Sequence, residues 1–183
     1  MSVTIRLSAE DYLSRDFPPR TQLIGGEVVV NDPVLRHQRI TVYVIRRLAD
    51  WVDGAPARGE AGIGSDWVVT DRDVFVPDVW WLREDRRPVR DAARVIGVPD
   101  LAVEVRSPST WRYDLGPKRA AYEQAGTVEL WLVDAESQTV IVNRRSSPEA
   151  DHFDVLLELG GGDTLASPLF PGLGIEIDEV FDR

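Results

Sequence analysis

The chain has 183 residues, of which 43% are hydrophobic and 28% are charged, and it contains no cysteine. This size predicts one domain, spanning residues 1–183, with a substantial core. The lack of cysteine excludes disulfides and thiolate metal sites. No apolar run is long enough to span a membrane, and the first seven residues lack the basic-then-apolar plan of a signal peptide. We therefore expect a cytoplasmic protein without a membrane partner.

The formal net charge of −10 limits the choice of partners. A protein that holds nucleic acid mainly through phosphate contacts is expected to be basic, at least over one face. The overall charge thus argues against tight non-specific binding to nucleic acid. It remains compatible with clustered carboxylates that bind divalent cations.

The N-terminal part predicts a short helix and then a β-hairpin. Ser8 and Asp11 have the spacing of a helix capping box, and the helix should run to about residue 15. Gly25 and Gly26 form a tight turn between strands at residues 21–24 and 27–30. Glu27 therefore begins the second strand.

The longest predicted helix covers residues 34–52. Its inward stripe includes Val44 and Leu48 at helical spacing, with His37 at the inward edge of the first turn. Such a histidine is usually part of the core and is satisfied by one hydrogen bond. A functional role for His37 stays open at this point.

Two strands are predicted next, at residues 65–70 and 74–82, and a solvated loop with a helical turn follows at residues 83–94. Asp78 lies in the second strand, directly after Pro77. Because proline cannot donate a hydrogen bond to a neighbouring strand, the pairing should be interrupted beside Asp78, or the strand should lie at an edge.

The most informative stretch is residues 100–107, which alternates as a strand deep in a sheet does. Glu104 lies in its middle, and a buried glutamate is costly unless its charge is compensated. The compensation is either a salt bridge to Arg106, predicted on the same face, or a metal ion. The sequence pattern leaves both alternatives open.

A helix is predicted from Pro117 to Gly126, since proline suits the first helical position and glycine the end. Lys118 and Tyr122 fall on the face that should pack inward. In the first turn the helix dipole disfavours a cation, so a nearby negative charge is expected to hold Lys118 there. The alternative is a lysine whose stem is buried while its ammonium reaches solvent.

The C-terminal third predicts a hairpin of strands at residues 129–134 and 139–143, another strand at 153–158, and a last strand and helical turn at 175–181. No internal repeat or domain boundary is visible. Helices that alternate with strands, followed by hairpins, indicate a mixed α/β domain.

Four charged residues are predicted to face one cleft, namely Glu27, Asp78, Glu104 and Lys118. Carboxylates held on neighbouring strands suit a hard cation such as Mg²⁺, which polarises a phosphoryl oxygen, and a nearby lysine can orient water. Only two histidines are present, so a zinc site has few ligands. The triplet at residues 160–162 lacks the lysine and serine of a phosphate-binding loop.

The chain also resembles a known family. The similarity lies in residues 12–13 (YL), 23–27 (LIGGE), 36–37 (RH) with Ile40, 76–79 (VPDV), 101–105 (LAVEV), 107–110 (SPST), 114–116 (DLG), 118–119 (KR), 122–126 (YEQAG), 131–134 (WLVD) and 169–172 (LFPG). These motifs resemble the Uma family of bacterial restriction-endonuclease-like proteins, within the PD-(D/E)XK nuclease superfamily. The resemblance covers roughly residues 8–181.

This resemblance implies a restriction-endonuclease-like α/β fold, with a central mixed β-sheet flanked by helices, and a metal-dependent endonuclease with DNA as its substrate. Asp78 and Glu104 would bind Mg²⁺ or Mn²⁺ together with the carbonyl of Val105. The usual lysine, two residues after the second acid, is replaced by arginine, and the resemblance implies that Lys118 takes its place. Glu27 would be an additional acid near the metal. The alternative is a non-catalytic interaction protein that keeps the fold and uses the acids in an ion pair; a homodimer is left open.

Overall fold

The structure is a computed structural model that describes residues 6–182, so the prediction about the first seven residues falls largely outside it. Its helices are α1 (Ala9–Leu13), α2 (Leu35–Asp53), α3 (Trp111–Tyr113), α4 (Arg119–Ala125) and α5 (Ile177–Phe181). Its strands are β1 (Thr21–Ile24), β2 (Glu27–Val30), β3 (Glu60–Gly62), β4 (Trp67–Thr70), β5 (Asp73–Phe75), β6 (Val79–Leu82), β7 (Val95–Ile96), β8 (Leu101–Val105), β9 (Glu129–Asp134), β10 (Thr139–Arg144), β11 (Val155–Leu159), β12 (Thr164–Ala166) and β13 (Gly174–Glu176).

The main sheet has six strands in the order β11-β10-β9-β8-β6-β3. Strands β8 and β9 are parallel, and the remaining neighbours are antiparallel. All five residues of β8 are buried, as expected for a central strand covered on both faces. The predicted central mixed sheet is confirmed, and it places Glu104 in the middle of the fold.

Helices cover both faces of this sheet. Ile40, Val44 and Leu48 of α2 join the cluster of apolar side chains that includes Val103 and Val105 of β8. On the opposite face, Tyr122 of α4 packs in a cluster with Ala102, Leu130 and Leu132. The alternation of β8 therefore directs its odd-numbered residues toward α2 and Ala102 and Glu104 toward α4.

A second sheet has the order β2-β1-β5-β4-β7. The predicted hairpin of β1 and β2 is confirmed, with Gly25 and Gly26 at positive φ in the turn. The predicted strand at residues 74–82 is divided: β5 belongs to this sheet and β6 to the main sheet. Pro77 and Asp78 lie between them, which agrees with the interruption that proline predicts.

The helix predicted from Pro117 begins earlier than expected. Helical structure starts at Trp111 with α3, continues through a π-helical turn at Asp114–Lys118, and ends with α4 at Gly126, whose φ of 96° is left-handed. The prediction of Pro117 as the first residue is thus wrong. Proline is tolerated inside this segment because a π-helical turn already interrupts the regular hydrogen-bond pattern.

The remaining differences are short elements. Strands β7 and β12 have two and three residues and pair with β4 and β13, which local periodicity could not reveal. The capping box of α1 is confirmed, because Ser8 and Asp11 bond reciprocally. Within residues 6–182, no helix is both long and apolar enough to span a bilayer.

Candidate functional site

Asp78 lies at the break between β5 and β6, where the chain passes from one sheet to the other. The backbone N–H of Val105 donates to its Oδ2 at 2.7 Å, and His37 Nε2 lies 3.0 Å from the same oxygen. Both contacts engage Oδ2, so Oδ1 takes no part in them. Asp78 is therefore fixed between α2 and the end of β8.

Glu104 lies next to Val105 in β8, on the opposite face of the strand, and its side chain is 4% exposed. Lys118 Nζ lies 2.7 Å from Oε1, and the hydroxyl of Tyr122 donates to the same oxygen at 2.8 Å. Lys118 and Tyr122 reach Glu104 together because they are four residues apart on one helical face. The prediction that Lys118 faces inward is confirmed, since its side chain is 1% exposed.

Asp114 is a second acid in contact with Lys118. Its Oδ1 lies 3.1 Å from Lys118 Nζ, and Thr110 Oγ1 donates to its Oδ2 at 3.3 Å. The ring of Phe75 is 5.5 Å from the same ammonium, which adds a cation–π contact. Lys118 is therefore the cation of a buried cluster with two carboxyl groups.

The cluster contains more acids than cations, and this changes their protonation. Burial raises the pKa of Glu104 to about 8, and the charges of Asp114 and Asp78 act in the same direction against the lowering effect of Lys118. Burial also raises the pKa of Asp114. Burial by itself would lower the pKa of Lys118, but the nearby Glu104 and Asp114 outweigh it and raise that pKa above its usual value. One buried carboxyl thus keeps its proton to a higher pH than usual.

Arg106 does not compensate Glu104. Its guanidinium contacts Asp134 Oδ2 at 2.8 Å and Glu136 Oε2 at 2.7 Å, and it lies over the ring of Trp111. The alternative in which Arg106 pairs with Glu104 is therefore wrong. The reason is the end of β8: Arg106 follows the last residue of the strand, where its side chain turns toward the end of β9.

Glu27 has a different environment. It lies at the start of β2 opposite Ile24, and its side chain is 42% exposed with Arg6 at 4.0 Å. Among residues 6–182, the contacts of Glu27 include none with Asp78, Glu104 or Lys118. The structure thus brings three of the four predicted residues into one region, and the predicted role of Glu27 stays a prediction.

Asp78 also borders a cavity of about 240 Å³. Apolar atoms provide most of the surface that lines this cavity. The lining also includes the basic residue Arg20 and the amide of Asn31, whose buried Oδ1 has no hydrogen-bond partner within residues 6–182. The carboxylate is therefore accessible from this side of the molecule. The lining residues are Arg20, Thr21, Gln22, Asn31, Pro33, Thr41, Ile63, Gly64, Val76, Pro77 and Asp78.

The two acids have the donor chemistry that Mg²⁺ requires. In Asp78 and in Glu104, one oxygen accepts all the hydrogen bonds and ion contacts made by residues 6–182, which leaves Oδ1 and Oε2 uncommitted. No group of three or more acidic or histidine side chains in this part of the chain is arranged around a single metal position. A cation here would therefore have two carboxylates with backbone and water oxygens, a set that Mg²⁺ commonly accepts.

Sequence reasoning missed three contributors to the site. His37 is predicted at the inward edge of α2 with one hydrogen bond, which the structure confirms, but the sequence does not identify Asp78 as its partner. Asp114 lies outside the helix that the sequence predicts from Pro117, so its contact with Lys118 is not predicted. Its spacing of four residues from Lys118 was the available signal, since an acid and a lysine at this separation pair on a helix. Tyr122 was placed on the correct face, but its contact with Glu104 was not foreseen.

Comparison with known structures defines the class of fold. A crystal structure described as a "putative nuclease belonging to DUF820", from Anabaena variabilis ATCC 29413, matches with a TM-score of 0.82 over 96% of this chain and 98% of that chain, at 19% sequence identity. The two proteins share the mixed α/β architecture described above. A family model described as "Uma2: Putative restriction endonuclease" matches residues 9–178. The chain therefore belongs to the Uma2 family. No curated protein matches it.

Proposed function

We propose that this protein is a metal-dependent endonuclease that hydrolyses phosphodiester bonds of DNA. The single observation that supports this most is the convergence of Asp78, Glu104 and Lys118 on the end of β8. Family membership and the described nuclease fold point to the same chemistry.

In this proposal Asp78, Glu104 and the carbonyl of Val105 hold Mg²⁺ or Mn²⁺. When bound, the metal polarises a phosphoryl oxygen and lowers the pKa of a bound water. The N–H of Val105 and the ring of His37 fix Asp78 through Oδ2, so that Oδ1 remains available. Lys118 and Tyr122 fix Glu104 in the same way through Oε1.

Lys118 has a second role in the proposed reaction. Its ammonium orients or activates the attacking water and stabilises the negative charge that develops on the phosphate. The raised pKa of Lys118 keeps this group cationic at neutral pH. Glu27 has no contact with the other three predicted site residues within residues 6–182, so its assignment as an acid that assists at the metal or holds a second ion rests on the family resemblance.

The test is a cleavage assay with plasmid, linear and single-stranded DNA in the presence of Mg²⁺ or Mn²⁺. We expect cleavage by the wild type, loss in EDTA, and a decrease of at least about 100-fold in Asp78→Ala, because removal of one preorganised charged group typically has an effect of this size. Asp16→Ala is the matched control, since Asp16 is exposed and far along the chain from the site. Equal activity of Asp78→Ala and Asp16→Ala would refute the proposal.

A second candidate is a non-catalytic interaction protein in which the acids form a structural ion pair. The burial of Lys118 between Glu104 and Asp114 favours it, because buried ion clusters also occur where no chemistry takes place. In that case the purified protein leaves all three DNA substrates intact with either metal.

Lys118→Met separates the two candidates, since methionine retains the apolar stem. For an enzyme, we expect cleavage to fall by about 100-fold or more while Asp78 still supports metal binding. In both cases the loss of the buried cation leaves two buried acids and costs about 3–5 kcal/mol of stability, so the loss of cleavage is the result that identifies an enzyme. A variant that is destabilised, in a protein whose wild type cleaves no DNA, would favour the second candidate.

A further inference from the structure

Three exposed arginines on the outer face of α2 form no ion pair with any residue from 6 to 182. Arg36, Arg39 and Arg46 are exposed and take part in no ion pair or hydrogen bond through their side chains within residues 6–182. This differs from the arginines near residue 85, which contact carboxylates. Those pairs are Arg83 with Asp85 and Asp100, Arg86 with Asp100, and Arg87 with Glu60 and Glu84.

The uncompensated arginines share one surface. A groove of about 560 Å³ runs along α2 and includes Arg39 and Arg46 in its lining. With a rise of 1.5 Å per residue, Arg36 and Arg46 are about 15 Å apart along the helix axis. This is about the length of four base pairs of duplex DNA. We call Arg36, Arg39 and Arg46 the arginine face.

The position of Arg36 in the first turn of α2 is electrostatically unfavourable unless an anion from outside the protein binds there. The first turn contains no acidic residue, and Val34 provides no side-chain cap. Arg36 is the second residue of the helix, where the macrodipole disfavours a cation and favours an anion. The open N–H groups and the guanidinium therefore both present positive charge to solvent at the same end of the helix.

From these observations we infer that the arginine face binds the phosphate backbone of DNA. The inference rests on the proposed function, because it assigns a docking surface to the substrate of that site. The first turn of α2 connects the two: His37 points inward to Asp78, while Arg36, its neighbour, is exposed on the outside. The end of α2 that carries Arg36 is therefore the end that lies beside Asp78.

The charge of the face favours phosphate over a protein partner. Leu35 and Val42 are exposed beside the arginines and would also fit a second copy of the chain. A two-fold interface, however, brings the same surface against itself, and three arginines would repel their symmetry mates. The same groove contains the carboxylates of Asp50 and Glu179, and Tyr43, which lies between Arg39 and Arg46 in the helix, donates to Glu179. DNA phosphates are themselves anionic and can pair with the arginines directly, whereas a second copy of the chain would have to supply carboxylates opposite them.

The test measures binding separately from cleavage. Binding of a fluorescent 20-base-pair duplex is followed by anisotropy in EDTA, at NaCl concentrations from 50 to 200 mM. The arginine-face variant carries Arg36→Ala, Arg39→Ala and Arg46→Ala. Its matched control carries Arg15→Ala, Arg72→Ala and Arg90→Ala, which remove the same charge from exposed positions elsewhere. Circular dichroism and the melting temperature verify that both variants fold.

We expect the arginine-face variant to bind at least about tenfold more weakly at 50 mM salt, with a slope of log K against log salt that is smaller by about 2–3, since each phosphate contact contributes about 0.9. The control should lose less than about threefold. An equal loss in both variants would mean a general charge effect and would overturn the inference, and so would a wild type that binds no duplex.

Sedimentation velocity addresses the competing partner. A wild-type dimer that the arginine-face variant dissociates would assign the face to a second copy and overturn the inference. Failure of the proposed function is recognised independently, because it appears in the metal-dependent cleavage assay with Asp78→Ala. A protein that binds DNA through the arginine face but never cleaves it would retain this inference and lose the proposed one.

Discussion

Two buried glutamates on adjacent parallel strands have opposite environments. Glu129 in β9 is fully buried and receives hydrogen bonds from Arg144, Trp131 and Ser167, which engage both of its oxygens. Glu104 in β8 is almost as buried, but Lys118 and Tyr122 both contact Oε1. The carboxylate of Glu129 is saturated by the protein, whereas that of Glu104 has one oxygen left for another partner.

This difference distinguishes a structural acid from a candidate ligand. A buried charge is tolerated when its lone pairs are fully satisfied, as those of Glu129 are. The incomplete satisfaction of Glu104 has a physical consequence, because burial raises the pKa of this carboxyl to about 8. A bound cation would replace that proton. Three measurements test whether the two glutamates differ in this way.

The largest expected difference concerns stability at pH 7. Glu129→Gln should lower the free energy of unfolding by about 3–5 kcal/mol, because Arg144 loses the carboxylate that it contacts at 2.8 and 3.0 Å. Glu104→Gln should cost less than about 1.5 kcal/mol, since the neutral amide resembles the protonated acid and Lys118 keeps Asp114. Urea denaturation measures both values. Similar losses would mean that the two glutamates are equally structural.

The second difference concerns pH. In the unfolded chain Glu104 ionises near its usual pKa of 4.5, whereas the folded chain keeps the proton until about pH 8. Between these values the unfolded state binds fewer protons, so stability falls as pH rises, by up to about 1.4 kcal/mol per pH unit. Burial raises the pKa of Asp114 as well, which adds to the same trend. The raised pKa of Lys118 adds no slope in this range.

Melting temperatures from pH 5 to 8 in EDTA measure this dependence. Glu104→Gln should flatten the dependence of the melting temperature on pH. The control is Arg119→Gln, because Arg119 contacts Asn143 and lies outside the buried cluster. This control should leave the slope unchanged. A wild-type stability that rises from pH 5 to 8 would contradict the inferred protonation of the cluster.

The smallest expected effect is stabilisation by metal. A cation that binds only the folded state stabilises it, by about 1.4 kcal/mol at ten times the dissociation constant. Millimolar Mg²⁺ or Mn²⁺ should therefore raise the melting temperature of the wild type by a few degrees. The shift should be much smaller in Asp78→Ala, while Asp16→Ala should respond as the wild type does. Identical shifts in all three proteins would place the metal elsewhere.

Elements that carry a strong local pattern can be predicted from the sequence alone. Turn glycines and apolar periodicities of 3.6 and 2 predict four of these elements, namely the hairpin of β1 and β2, helix α2, strand β8 and the hairpin of β9 and β10. Local patterns also predict the positions of three site residues, with Asp78 beside a proline, Glu104 in a central strand and Lys118 on an inward helix face. These features depend on neighbours in the chain, and a pattern can therefore reveal them.

The contacts between distant side chains could not be predicted from the sequence and follow from the packing of the fold. Arg106 lies two residues from Glu104, yet it contacts Asp134 and Glu136, because the strand ends before it. Asp114 joins Lys118 through a helical segment that begins before Pro117, against the local preference of proline. His37 reaches Asp78 across 41 residues of chain. Such contacts depend on how the sheet and helices pack, and the energy of that packing is not encoded in any short stretch of sequence.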